Sequence, residues 1–268
     1  MENRYTGPIV LLTDFGETDP FVGILKGVIA GINRHADVID LSHGVTPQDV
    51  GHGAFLLAVS YAYFPKQSIF CTVVDPGVGS QRKGICIRTR DYLFVGPDNG
   101  ILWAAANENG IRQIVHLEER AYFLETVSST FHGRDIFAPV CAHISKGMAD
   151  LSVLGSELTA CKPFHFPDPD IQGNRATLTV LCVDRFGNIT LNISPDQFDA
   201  LVKDGPFDMA VNGYHIRKRW PAYAAADDNE LFVIAASNNR MEISLKNGSA
   251  ADKIRPGTMN TAVLTALS

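Results

Sequence analysis

Short apolar runs alternate with segments of helical periodicity along the first part of the chain. Residues 9–12 form an apolar, β-rich run that ends at a Thr-Asp pair, and apolar positions at helical spacing follow over residues 21–32. The same alternation predicts strands at 38–41, 68–74, 84–88 and 92–95, and helices at 51–63, from about 101, and at 136–146. This rhythm is typical of an α/β layer with a largely parallel central sheet.

The rhythm changes after a segment rich in proline, aspartate and glycine. That segment predicts a linker at 164–174 between an N-terminal domain at 1–163 and a C-terminal domain at 175–268. Short strands separated by turn residues are predicted at 176–183, 189–193, 208–211, 231–235, 241–245 and 261–267. Without long helical patterns between them, these strands favour a small antiparallel barrel or sandwich. We therefore expect an α/β domain followed by a smaller β domain.

Composition narrows the class of protein. The 268 residues are 46% hydrophobic and 19% charged, which excludes a disordered or fibrous chain. A net charge of −6 argues against a nucleic-acid partner, because binding to phosphates normally needs a basic face. Five cysteines without a C-x-x-C pair are typical of buried, reduced thiols. With no apolar signal core and no membrane-length apolar stretch, a cytoplasmic protein is expected.

Two carboxylates stand where predicted strands end, which is where ligands collect in parallel sheets. Asp14 could accept hydrogen bonds from the vicinal hydroxyls of a ribose or could cap the following helix, and its position gives both interpretations equal weight. Asp75 opens the loop DPGVGSQR, in which proline and glycines fix a tight turn and let the backbone approach a ligand. A salt bridge between Asp75 and Arg82 is the purely structural alternative.

Two further polar clusters could carry chemistry. His132 lies just before a predicted helix in the segment FHGRD, although a lone histidine is more often structural than catalytic. Asp184, Phe186 and Asn188 place a carboxylate, an aromatic face and an amide within one turn, which suits a cationic or heteroaromatic ligand or simply forms a β-turn. No cysteine or histidine pair stands at metal-ligand spacing, so the pattern predicts a metal-free site of Asp, Arg and His.

Seven motifs in order along nearly the whole chain resemble one known family, the S-adenosyl-L-methionine (SAM) hydroxide adenosyltransferases. The motifs are LTDFG (12–16), PQDV (47–50) with GAF (53–55), VVDPGVG (73–79), GPDNG (96–100), FHGRD (131–135), DRFGN (184–188) and NGSAA (247–251). The resemblance implies hydrolysis of SAM to adenosine and L-methionine by water or hydroxide at the ribose C5′, without a metal or redox cofactor. It also implies a C-terminal β-barrel and a homotrimer with sites between subunits.

The same resemblance assigns roles residue by residue. It implies that Asp75, Arg82 and His132 activate the attacking water and that Asp14 binds the ribose hydroxyls. It further implies that Asp184 binds the methionine ammonium, while Asn188 and the backbone near Ala250 contact the adenine. Phe186 and Asn247 belong to the motifs that carry the substrate site. Ser237 matches a contact to the methionine carboxylate, but the next position, an arginine in the related halogenases, is Asn238 here.

Three alternative functions remain at this point. The related fluorinases and chlorinases carry an aromatic residue in place of Asp75 and an insertion that this sequence lacks, which favours hydrolysis over halogenation. A non-catalytic protein that binds SAM or adenosine would need Asp14, Asp184 and Asn188 but not the Asp75 trio. A metal-dependent hydrolase could use Asp14, Asp75 and His132, and loss of activity in a chelator would reveal it.

Overall fold

The structure, a computed structural model, describes residues 5–255 and 261–267. The chain divides between His165 and Phe166 into two compact units. The first unit is a mixed α/β layer and the second is an antiparallel, nearly barrel-shaped sheet, so the predicted fold class is confirmed. Among the described residues, no helix combines the length and apolar character that a membrane span requires.

The first unit contains six strands and four α-helices among its described residues. They are β1 (Ile9–Thr13), α1 (Phe21–Ile32), β2 (Val38–Ser42), α2 (Val50–Ser60), β3 (Ile69–Val73), β4 (Gly84–Thr89), β5 (Leu93–Pro97), α3 (Trp103–Glu108), β6 (Ile111–His116) and α4 (Ala138–Ile144). The sheet order is β2-β1-β3-β5-β4-β6, in which β4 runs antiparallel to both of its neighbours and the other pairs are parallel. Strand β6 is absent from the sequence-based prediction.

The register of the central strands decides where the first site lies. Ile9 pairs with Ile69 and Thr13 with Val73, so the parallel strands β1 and β3 end side by side. Both strands are buried along their whole length, which is the pattern of a central strand covered on both faces. Asp14 and Asp75 follow these two ends and therefore emerge at the same edge of the sheet, as the sequence predicts.

The segment predicted as a helix at 136–146 begins earlier and differently. Residues Gly133–Phe137 form a π-helical turn, in which the Ala138 N–H donates to the Gly133 carbonyl, and α4 continues from it. Such turns insert an extra residue into a helix and are frequent at functional sites. Here the turn directly follows His132. The buried faces of α1 and α4 contribute to one core with Cys71, Cys86 and Cys141, which are free, buried thiols.

The second unit contains eight strands and two helices among its described residues. They are β7 (Asp170–Gln172), β8 (Arg175–Val183), β9 (Ile189–Leu191), α5 (Pro195–Val202), β10 (Phe207–Val211), β11 (Tyr214–Ile216), β12 (Leu231–Ala235), β13 (Met241–Leu245), α6 (Ala250–Ile254) and β14 (Thr261–Ala266). The order β11-β10-β14-β8-β9-β13-β12 is antiparallel, and the segment after β11 bonds to β12 through Lys218, Trp220 and Val233. This contact joins the two outer strands and makes the sheet barrel-like.

Four elements of this unit are absent from the sequence-based prediction, namely strands β7 and β11 and helices α5 and α6. Strand β7 falls inside the predicted linker 164–174, where it pairs with the start of β8 and is exposed along its length. Helix α5 was missed although Ser194, Pro195 and Gln197 form a capping box with proline at the first helical position. Helix α6 was also missed, and it begins at Ser249, whose hydroxyl accepts from the Asp252 N–H.

Candidate active site

Asp14 is held by backbone rather than by the helix that follows it. Its Oδ2 accepts from the Gln48 N–H at 2.8 Å, and Gln48 has a positive φ of 65°. Helix α1 begins only at Phe21, is preceded by Pro20 and has no side-chain cap. The interpretation of Asp14 as a helix cap is therefore wrong. The sequence gives no signal for the Gln48 contact, because 34 residues separate the two partners.

The loop from Asp75 to Arg82 folds back on itself. The Asp75 carbonyl accepts from the Val78 N–H at 3.2 Å, and the Ser80 hydroxyl donates to the Gly77 carbonyl at 2.6 Å. Arg82 thereby returns to Asp75, and its Nε donates to Oδ1 and Oδ2 at 2.9 and 3.0 Å while its Nη2 also bonds to Oδ2. The side chains are only 6% and 11% exposed. The predicted salt bridge exists and is largely desolvated.

The same guanidinium also fixes His132. Arg82 Nη2 lies 2.6 Å from His132 Nδ1. Because a guanidinium can only donate, Nδ1 must accept, which places the proton of a neutral His132 on Nε2. Burial and the charge of Arg82 lower the pKa of His132 below its ordinary 6.5, against the opposite influence of Asp75. The structure therefore favours a neutral imidazole at physiological pH.

The loop that carries His132 is anchored by a buried carboxylate. Asp135 is fully buried, and its Oδ2 accepts from both the N–H and the hydroxyl of Ser128 at 2.8 Å, while Arg134 Nε donates to Oδ1 at 2.6 Å. Burial alone would raise the pKa of Asp135, but Arg134 and the Ser128 hydrogen bonds outweigh it and lower that pKa. Asp135 and Arg134 thus hold the conformation of the FHGRD segment.

Close contact between the Asp75–Arg82 loop and the loop that leads to His132 depends on Gly79. This residue has a φ of +76°, and a Cβ built on it would overlap the carbonyl oxygen of Ser129. Only glycine combines this φ with such a close approach at no steric cost. The loop of Asp75 and Arg82 therefore packs directly against the loop that leads to His132.

A pocket of about 370 Å³ opens at this edge of the sheet. Asp14, Asp75 and His132 line it, together with the rings of Phe15 and Phe131, whereas Arg82 lies behind the wall. The structure therefore brings together the four residues that the sequence predicts for this half of the site. Asp14, Asp75 and His132 line the cavity, whereas Arg82 binds Asp75 and His132 from behind the wall.

A second pocket, of about 570 Å³, lies in the second unit at the turn between β8 and β9. Asp184 Oδ1 accepts from the N–H groups of Phe186 and Asn188 at 2.8 and 2.9 Å, and Oδ2 accepts from the Asn188 amide at 2.8 Å. Asn188 is 6% exposed, whereas Phe186 is 76% exposed. The segment forms the predicted β-turn, and this turn holds Asp184 and Asn188 of the predicted polar cluster on the pocket wall.

The remaining predicted residues fall in different places. Asn247 lines this pocket and donates to Asp228 Oδ1 at 2.8 Å, and the fully buried Ala250 begins α6, next to Ser249, which packs on Gly187. Ser237 does not join them. It lies in the exposed turn between β12 and β13, at the Ala235–Met241 end of a hairpin whose opposite end carries Leu245 of the pocket wall. Tyr223, which no sequence motif indicates, also lines the pocket.

Over the described residues 5–255 and 261–267, no group of three or more His, Cys, Asp or Glu side chains is arranged to hold a metal ion. The site chemistry on view is instead a carboxylate, a guanidinium and an imidazole in one unit, and a carboxylate–amide turn in the other. These features define a two-domain protein with a mixed α/β unit, a β-barrel-like unit and a separate polar pocket in each.

Comparison with known proteins identifies the family to which this architecture belongs. Models of the SAM hydroxide adenosyltransferase N-terminal and C-terminal domains match residues 9–155 and 178–261. A Salinispora tropica protein named (R)-S-adenosyl-L-methionine hydrolase is 37% identical over 252 residues, which are 91% of this chain and 92% of that protein. A protein of the same name from Methanocaldococcus jannaschii is 40% identical over 194 residues, 70% of this chain and 68% of its own. The chain belongs to the SAM hydroxide adenosyltransferase family.

Two further comparisons bear on fold and on the halogenase alternative. A crystal structure of an uncharacterized conserved protein from Thermotoga maritima superposes with a TM-score of 0.89 at 34% identity, covering 96% of this chain and 99% of its own. A fluorinase from Actinopolyspora mzabensis is 23% identical over 228 residues, 75% of this chain and 76% of its own. The fluorinases are therefore distant relatives, as the sequence motifs indicate.

Proposed function

We propose that this protein hydrolyses SAM to adenosine and L-methionine by attack of water at the ribose C5′. The observation that carries the proposal is the Asp75–Arg82–His132 cluster, which lies beside Asp14 at one pocket. A protein that merely binds an adenosyl compound has no need of a carboxylate and an imidazole fixed by one buried guanidinium. The names and the 34–40% identity of the curated relatives support the same reaction.

The reaction makes modest demands on the protein. The C5′–S bond breaks with its electron pair going to sulfur, so the sulfonium leaves as a neutral thioether and needs no acid. The C5′–O bond forms from water, whose proton must be taken up as the bond develops. The chief task is to hold one water in line behind C5′, and such positioning can supply roughly 7–11 kcal/mol of the barrier.

The geometry suggests distinct roles for the trio. Asp75 faces the pocket and can orient the attacking water and accept its proton. His132 lines the same pocket, and its Nδ1 is occupied by Arg82. Arg82 is not among the residues that line the cavity, so we assign it to positioning: it donates hydrogen bonds to both the carboxylate and the imidazole. These roles are the same whether the nucleophile enters the site as water or as hydroxide.

We also propose roles in binding the ribose, the adenine and the methionine part of SAM. Asp14 would bind the ribose hydroxyls through Oδ1, since its Oδ2 accepts from the Gln48 N–H. Asp184 would face the methionine ammonium, and Asn188, Phe186, Asn247 and the backbone near Ala250 would surround the adenine. The resemblance assigns Ser237 to the methionine carboxylate, but this residue lies in the turn at the far end of its hairpin from the pocket.

We propose further that the protein is a cytoplasmic homotrimer in which each site takes one pocket from each of two subunits. Free cysteines throughout the described residues are in keeping with a reducing compartment. Each pocket is lined by only half of the predicted groups, which supports a shared site. Mixing inactive Asp75→Asn chains with inactive Asp184→Ala chains should then restore part of the activity on subunit exchange. A mixture that exchanges subunits and stays inactive would refute the shared site.

Product analysis tests the reaction itself. Incubation with SAM should give equal amounts of adenosine and L-methionine, measured by chromatography, and the yield should survive a chelator. The Asp75→Asn variant is the matched control, since the amide preserves shape but cannot take up a proton. Binding of SAM without products in the wild-type protein would instead indicate a regulatory binding protein. Products that depend on added halide would indicate a halogenase.

A further inference from the structure

The proposed reaction leaves one sequence motif without a role, the turn GPDNG at residues 96–100. This turn ends β5, which lies between β3 and β4 in the sheet. The loop from Asp75 to Arg82 runs from the end of β3 to the start of β4, so it must pass over the end of β5. The turn and the loop therefore meet at the edge of the sheet where the first pocket opens.

Hydrogen bonds from this turn hold both ends of the loop. Asn99 Nδ2 donates at 2.7 Å to the carbonyl of Val74, the last residue before the loop. The Asp98 N–H donates at 2.8 Å to the carbonyl of Lys83, the first residue after it. The two ends are thereby fixed relative to each other, which the salt bridge inside the loop requires.

The Asn99 amide is oriented by two partners of opposite kind. Its Nδ2 bonds to the Val74 carbonyl, which can only accept, and its Oδ1 accepts from the Ile101 N–H at 3.2 Å. Turning the amide over would place oxygen against oxygen and N–H against N–H, so only one orientation satisfies both contacts. The side chain is therefore a fixed link between the turn and the peptide group that precedes Asp75.

Two glycines bring neighbouring elements close to the end of β3. A Cβ built on Gly96 would overlap the carbonyl oxygen of Thr72, and one built on Gly53 of α2 would lie 3.2 Å from a methyl group of Val74. Val74 is fully buried. Because its side chain packs on α2 and its carbonyl is bonded to Asn99, the direction in which the loop leaves β3 is fixed.

We infer that Asn99 is a positioning residue that sets the direction of the Asp75 carboxylate by holding the Val74 peptide group. The inference rests on the proposed function, in which Asp75 orients the attacking water. Asn99 is not among the described residues that line the first pocket, so its influence on the reaction passes through Asp75 rather than through a contact with the ligand.

Two substitutions of Asn99 test the inference through adenosine release from SAM. Asn99→Ala removes the donor, and the resulting displacement of Asp75 should lower kcat by about tenfold to 100-fold. Asn99→Asp keeps the shape and can still accept from Ile101, but at neutral pH it offers no proton to the Val74 carbonyl, so kcat should fall at least as far. Affinity for adenosine in calorimetry should change less than twofold in both variants. A kcat near that of the wild type in Asn99→Asp would overturn the inference.

Asn109 provides a matched control at the other end of the β4–β5 hairpin. It is 4% exposed, and its Oδ1 accepts from the Thr89 hydroxyl at 2.7 Å and from the Asp91 N–H at 2.9 Å. Asn109→Ala should lower the urea midpoint of unfolding, as Asn99→Ala does, but leave kcat unchanged. An equal fall in kcat in the two variants would overturn the inference and indicate a general loss of sheet stability.

A double-mutant comparison separates positioning from a structural role. In Asp75→Glu the carboxylate is already displaced by one methylene group, so a residue that acts by aiming Asp75 has little left to contribute. Adding Asn99→Ala to Asp75→Glu should therefore lower kcat less than twofold. A further fall as large as the one in the wild-type background would contradict the inference.

Hydrogen exchange gives a readout that does not depend on turnover. The N–H groups of Val78 and Ser80 donate to carbonyls inside the loop, and they should exchange at least tenfold faster in Asn99→Ala but not in Asn109→Ala. If the wild-type protein released no adenosine, the proposed function would fail, and exchange would still decide whether Asn99 fixes the loop. If adenosine were released while kcat or exchange in Asn99→Ala matched the wild type, only the present inference would fail.

Discussion

Replacing Gly79 with alanine should uncouple the two loops that form the proposed catalytic cluster. The glycine has a φ of +76°, and an added Cβ would overlap the Ser129 carbonyl oxygen and lie 3.3 Å from that residue's Cβ. The positive φ alone costs about 1–2 kcal/mol for a residue with a side chain. Relieving the overlap adds about 1–3 kcal/mol of the kind seen on overpacking, so unfolding should become easier by at least about 2 kcal/mol.

The effect on turnover should be larger than the effect on stability suggests. To remove the overlap, the loop of Asp75 and Arg82 must move away from the loop that carries His132 by roughly 1 Å, and a misplacement of that size costs about 100-fold in rate. Adenosine release from SAM measures the rate, and urea unfolding measures the stability. We expect kcat to fall by about 100-fold while affinity for adenosine changes little.

Gly110 provides a matched control for the backbone strain. Its φ is +79°, close to that of Gly79, but nothing lies within 4 Å of a Cβ built there. Gly110→Ala should therefore show the strain alone, about 1–2 kcal/mol, and normal turnover. If Gly79→Ala retained turnover within a few-fold of the wild type, contact between the loops would not be what aligns the cluster.

Three further outcomes follow from the same geometry. Asp75→Asn should abolish adenosine release while SAM still binds in calorimetry, and loss of binding would argue against a role in the chemical step. Asp14→Ala should weaken adenosine more than 2′-deoxyadenosine; equal penalties would show that Asp14 does not bind the ribose. Because burial and Arg82 lower the pKa of His132, its contribution to stability is full above pH 6.5 and is lost as the pH falls through the lowered value. Turnover should follow the same acid limb, and a midpoint above pH 6.5 would contradict the hydrogen bond from Arg82 to Nδ1.

Much of the fold can be predicted from the sequence because the central strands are buried on both faces. Strands β1 and β3 read as continuous apolar runs, and helix α1 is predicted to the residue. Two of the strands that were missed, β7 and β11, are three residues long and largely exposed. Strand β7 is three exposed residues, so it carries no apolar alternation, and its position depends on pairing with β8. Helix α5 did carry a local signal, the capping box at Ser194, which hydrophobic periodicity alone does not detect.

The candidate site was predictable in its residue types but not in its connections. The position of Asp75 after a buried strand indicates a ligand site, and sequence spacing indicates a partner in Arg82 seven residues away. The contact with His132 spans 50 residues and depends on the packing of one loop on another at Gly79. Tyr223 belongs to no motif, so only the folding of the second unit brings it to the wall of the pocket that Asp184 and Asn188 line.

The sequence offers a salt bridge and a catalytic carboxylate as rival interpretations of Asp75, and the two are compatible, because Asp75 forms the salt bridge and also lines the pocket. An ion pair whose members are 6% and 11% exposed recovers little of its desolvation cost, so stability alone is a poor reason to keep it. Arg82 also donates to His132, which a stabilising pair does not require. A guanidinium is the one side chain that can fix a carboxylate and an imidazole together without being able to take a proton from either. We therefore interpret the salt bridge as part of the hydrogen bonding by which Arg82 holds Asp75 and His132 at the pocket.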